Sequence, residues 1–74
     1  MIHIGQAIEA ELREQERTVS WLSRRLDCDR TKIYQIFHKP AIKTDMLMKI
    51  SLVLNKDFFK MLDDEYKAEL KAKK

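Results

Sequence analysis

Ile4, Ile8 and Leu12 recur every four residues, with Ala7 beside them and charges opposite, so the spacing predicts a helix over 4–15. Thr18 then stands as an N-cap before Val19, Trp21, Leu22 and Leu26, which predicts a short second helix stopping near Asp27. Asp29 caps a third, with Ile33, Ile36 and Phe37 on one face; Pro40 ends it, because the residue before a proline avoids the α region. A fourth restarts near Thr44 and carries Leu47, Ile50, Ser51 and Leu54 at helical spacing. Asn55 suits the left-handed position that closes it. Asp57 caps a fifth, with Phe58, Met61 and Leu62.

The chain has one Gly and one Pro, too few for the tight turns of a sheet. The expected class is all-α: one compact five-helix domain over residues 1–62, followed by a charged tail, 63–74, that either extends the last helix or frays. The second and third helices are separated by only about three residues around Asp27 and Cys28, which predicts a steep crossing and a helix-turn-helix unit. The expected core is Ile4, Ile8, Leu12, Leu22, Leu26, Cys28, Ile33, Ile36, Leu47, Ile50, Leu54, Phe58 and Leu62.

At 74 residues there is room for one thin core and little for a catalytic cleft. Net charge is +3, and its distribution says more than its sum. Residues 1–16 set Arg13 against four glutamates; residues 17–43 set Arg17, Arg24, Arg25, Arg30, Lys32, Lys39 and Lys43 against Asp27 and Asp29 alone. A surface charged with one sign is a footprint for a polyanion.

That basic stretch contains the third helix. Projected at roughly 100° per residue, Arg30, Thr31, Tyr34, Gln35 and His38 fall within an arc of roughly 140°, opposite the apolar face. The arc holds no acid, whereas solvated helix surfaces usually mix signs. Arg reads guanine, Gln reads adenine, and Thr offers thymine a hydroxyl or a methyl, so the face suits the major groove of DNA.

Through "TVSWLSRRLDCDRTKIYQIFHK" and then "LMKISLVLNKDFFKML", the chain resembles the Cro/C1-type (XRE-like) helix-turn-helix family of phage and bacterial regulators. The likeness covers about residues 4–62. It implies a lambda-repressor-like DNA-binding domain, base-edge contacts from Arg30, Thr31, Tyr34 and Gln35, and phosphate contacts near Thr18 and Val19 and around His38, Lys39 and Lys43. Lys32 reaches either a phosphate or water. Asp27 stands where the family usually has Gly, and Val19 where it often has Gln. Leu12 and Phe37 replace an Arg–Glu pair, so an apolar contact between them is expected.

No enzyme is expected. Ser20 and Ser23 lack a Gly-rich elbow, and His3 and His38 are far apart with no second Cys to complete a metal site. Neither metal nor cofactor is expected, Asp63-Asp64-Glu65 reads as solvated surface, and Cys28 reads as a buried structural thiol. The absence of an apolar run near 18 residues argues against a membrane span, and acids as early as Glu9 and Glu11 argue against a signal peptide. A cytoplasmic setting follows. The expected partners are double-stranded DNA and a second copy of the chain, with Trp21, Leu52 or Phe59 near the two-fold axis. The other reading is a protein-interaction module, antitoxin-like or adaptor, that reuses the same fold.

Overall fold

Local caps place five helices: α1 (Ile4–Glu14), α2 (Val19–Leu26), α3 (Arg30–His38), α4 (Thr44–Leu54) and α5 (Phe58–Ala72). The computed structural model describes residues 2–73, and those residues contain no strand. Met1 and Lys74, the outer ends of the regions expected from the sequence, lie outside the described residues. Thr18, Asp29 and Asp57 each accept a hydrogen bond from the backbone amide three residues on, at 3.0, 2.9 and 2.9 Å. Such a cap contributes about 1 kcal/mol. His3 does the same for α1 through Nδ1, at 3.1 Å from the Gln6 amide. The cap residue of α4, Lys43, makes no such bond, and Asp45 in its first turn accepts from the Met46 amide instead.

Three helices end in one way. Glu16, Asp27 and Asn55 take the left-handed conformation, with φ of 57°, 55° and 51°. After each, the next amide reaches back to a carbonyl in the last turn: Arg17 to Leu12, Cys28 to Ser23 and Lys56 to Ser51, all at 3.0 Å. This double-bonded terminator usually holds Gly, whose missing side chain removes the steric penalty of positive φ. Asp and Asn are the next best tolerated. Glu16 is not, and the sequence carries no local sign of it.

The single glycine serves another purpose. Gly5 lies where the first turn of α1 meets the end of α3, its amide donating to the Lys39 carbonyl at 2.9 Å and the Ile4 amide to the Pro40 carbonyl at 3.0 Å. A Cβ at Gly5 would lie 2.5 Å from the Phe37 carbonyl oxygen and 2.7 Å from that of Lys39, with the Ile36 carbonyl closer still.

The core joins Ile4, Ile8 and Leu12 of α1, Leu22 of α2, Ile33, Ile36 and Phe37 of α3, Leu47, Ile50 and Leu54 of α4, and Phe58 at the start of α5. Leu12 and Phe37, expected to meet, are both buried in this cluster. Three residues expected in the core are less enclosed. Leu26, at the end of α2, and Cys28, in the turn after it, are only partly buried. Leu62 is 36% exposed, because α5 buries only Phe58 and then runs on through Ala72. Residues 63–72 thus extend the last helix, and the molecule measures 44 × 20 × 20 Å.

Candidate nucleic-acid interface

The packing of α3 divides its residues in two. Ile33, Ile36 and Phe37 are buried, and Arg30, Thr31, Lys32, Tyr34, Gln35 and His38 are all exposed. Ile33 and Ile36 lie in the core, where α3 packs against α1 and α2, so the opposite face turns outward as a direct consequence of the apolar spacing. Thr31, Tyr34, Gln35, His38 and Lys39 together line a shallow hollow on that face. The Tyr34 ring is braced edge-on against Phe37, with centroids 6.1 Å apart and planes at 87°, which ties an exposed phenol to a buried ring.

The His38 ring is held by Nδ1, 2.8 Å from the Tyr34 carbonyl; since a carbonyl only accepts, Nδ1 carries the proton. The neutral ring therefore points an acceptor, Nε2, outward.

Lys32, Lys39 and Lys43 share a second groove, floored by Ile36, Ile42 and Met46 between α3 and the start of α4. Lys39 borders both hollows. Thr18 and Val19, on α2, line neither. Thr18 uses its hydroxyl as the cap of α2, and Val19 is half-buried. What they offer outward is the open end of α2, whose first amides lack intrahelical acceptors.

The ion pairs lie outside this region. The ion pairs among the described residues draw their bases from Arg13, Lys56, Lys60 and Lys67, with Glu9, Glu11, Asp64 and Asp63 as partners at 3.0–3.8 Å. Arg17, Arg24, Arg25, Arg30, Lys32, Lys39 and Lys43 make no ion pair with any carboxylate of the described residues. Their charges are not locked in local pairs, which leaves them available to a polyanion.

One element escaped the reading of the sequence. The Trp21 ring is stacked by two guanidinium groups, Arg17 at 4.5 Å from its centroid and Arg25 at 5.8 Å. An indole counted as an apolar surface residue is thus the centre of a basic cluster. The spacing 21, 25 carried part of that signal, since residues four apart are neighbours along a helix, whereas Arg17 lies before the cap of α2.

Cys28 lines a hollow with Asp29, Thr31, Lys32 and Gln35. Burial pushes its thiol above the ordinary value, Asp29 and Asp27 push the same way, and Lys32 partly opposes them. Among the described residues no three His, Cys, Asp or Glu side chains gather as a metal site would need, and no helix is long and apolar enough to cross a membrane. Compared with protein-family models, curated proteins and solved structures, the chain finds no match in any of them.

Proposed function

We propose that the protein binds double-stranded DNA sequence-specifically as a small Cro/C1-type regulator of prokaryotic or phage origin, with α2, its turn and α3 acting as a helix-turn-helix. The observation that carries this reading is the outward face of α3: Arg30, Thr31, Tyr34 and Gln35 are exposed on it, no acid interrupts it, and the bases around it pair with no carboxylate of the described residues. Base edges are read by such donors and acceptors. Lys32, Lys39 and Lys43, the open end of α2 and the Arg17–Trp21–Arg25 cluster are suited to phosphates, which set register and affinity rather than sequence. A palindromic site would be read by two copies, each presenting one α3.

Selection from a random duplex library with purified protein tests the reading. Enrichment of one motif, bound more tightly than scrambled duplex across a salt series, is the expected result. A protein that holds all duplexes alike would be gripping backbone only. One that holds none at low salt would be an interaction module on the same fold.

A further inference from the structure

The corner between α3 and α4 carries a recess of about 670 Å³, the size of a small-molecule site. Lys32 and Ile36 lie on one side of α3, with Lys39 closing that helix; Lys43 stands just before α4, with Met46 in its first turn. Ile36 is buried, and Ile42 and Met46 are half-buried, so the recess has an apolar floor. Lys32, Lys39 and Lys43 are exposed around it. Asp45 lines the recess too, but none of the three lysines bridges to it. Its carboxylate accepts instead from the Met46 amide at 2.8 Å.

A phosphate uses only half of this arrangement. It needs the lysines, and the side chains of Ile36, Ile42 and Met46 offer it no hydrogen bond. A ligand that uses the whole recess has an acidic head for the lysines and an apolar body for the floor, where each buried methylene adds affinity. Met46 is unbranched and flexible, so the floor adapts to the body it receives. The recess on the other side of the 39–43 loop, beside Ile2 and α5, is lined by Glu65 and Glu69, which repel the same head. Charge therefore steers an acid to the lysine side.

We propose that this recess binds a small carboxylic acid with an unbranched apolar tail, its carboxylate held by Lys39 and Lys43 and its tail laid on Ile36, Ile42 and Met46. Ammonium–carboxylate hydrogen bonds are charge-assisted and fix the head, while the floor selects for the tail. Bound there, the acid occupies the lysines suited to phosphates, so acid and duplex exclude one another and each weakens the other's binding. That exclusion rests on the proposed function; the binding of the acid does not.

Decanoate, kept below its micelle concentration and titrated calorimetrically into the full chain, tests the site. One saturable event is expected, with acetate and decanol each weaker by about tenfold or more, because each lacks half of the ligand. Lys39→Gln with Lys43→Gln should weaken decanoate by about tenfold or more, and so, separately, should Ala41→Asp, which sets a like charge beside the head. All three positions are exposed, so circular dichroism should show both variants folded. Lys60→Gln, on α5, should leave decanoate binding unchanged. The site is overturned if decanoate does not bind, if decanol or acetate binds as tightly, or if binding survives both variants. A second titration tests the exclusion. Saturating decanoate should weaken binding to the selected duplex by about tenfold or more, and acetate at equal ionic strength should not. Decanoate that binds without weakening the duplex overturns the exclusion. A chain that binds decanoate but no duplex overturns the proposed function and supports the site.

Discussion

The Gly5 amide donates to the Lys39 carbonyl across 2.9 Å, which locks the first turn of α1 onto the residue that closes α3. Lys39 borders both hollows of the candidate interface, so the backbone that aims it is set by a residue on another helix. Gly5→Ala should therefore be strongly destabilising. Helix propensity alone would favour Ala by about 0.5–1 kcal/mol, but the added methyl meets three backbone carbonyl oxygens that have no rotamer to change. Overpacking of this kind costs about 1–3 kcal/mol, and rigid backbone neighbours put this case at the upper end or beyond. Urea denaturation should show the loss; a variant as stable as the wild type would mean that α1 and α3 do not approach so closely.

Glu16→Gly should do the opposite. Glu16 sits at φ 57° in the terminator of α1, where a Cβ is penalised by about 1 kcal/mol and Gly is not. Since a change of 1 kcal/mol moves the melting temperature of a domain this size by about 4–8 °C, a scanning melt resolves it. Asn55→Gly, at the corresponding place after α4, should change stability less, because Asn already tolerates this region.

Gly5 and Glu16 also mark where the sequence stops being legible. Caps and turns are local chemistry, so Thr18, Asp29 and Asp57 could be read directly, as could the left-handed Asn55, while Asp27 was placed at its turn only through the family resemblance. Glu16 could not, because glutamate has no preference that announces positive φ. Gly5 lies within an ordinary helical pattern, and its reason for being glycine is a strand of chain more than thirty residues away. Leu62 fits the same helix face as Phe58, but periodicity does not tell where the body beneath that face ends. On the candidate site, the spacing placed Arg30, Thr31, Tyr34 and Gln35 outward, as observed. The stacking on Trp21 was not legible, because a hydropathy pattern sees an indole as apolar and overlooks the π-face that takes two arginines.

Cys28 should react slowly with alkylating reagents in the folded protein. Only the thiolate is nucleophilic, and burial, helped by Asp29 and Asp27, disfavours it. With the folded-state pKa raised, the thiol stays neutral at neutral pH, and thiolate appears only as pH climbs past the ordinary thiol range. Iodoacetamide labelling followed by mass spectrometry, native against urea-unfolded, should show faster modification of the unfolded chain at equal pH. Faster native labelling would instead mark an activated, redox-responsive cysteine.

The division of labour across the α3 face predicts two different failures. Lys43 precedes α4 and shares the groove with Lys32 and Lys39, a place suited to a phosphate. Lys43→Ala should then weaken binding by a similar factor on every duplex and reduce the salt slope by about one unit, because one fewer counterion is released. Arg30 is the first residue of α3, exposed and paired with no carboxylate of the described residues. From there a guanidinium can donate two bonds to one guanine, so Arg30→Ala should lose about 1–3 kcal/mol on the selected sequence and little on scrambled DNA, with preference relaxed at one base pair. Neither change touches the core, so both variants should melt as the wild type does. Titrating preferred and scrambled duplexes at several salt concentrations separates the cases. If Arg30→Ala weakened both duplexes alike and flattened the salt slope, Arg30 would be a backbone contact, and sequence reading would fall to Thr31, Tyr34 and Gln35.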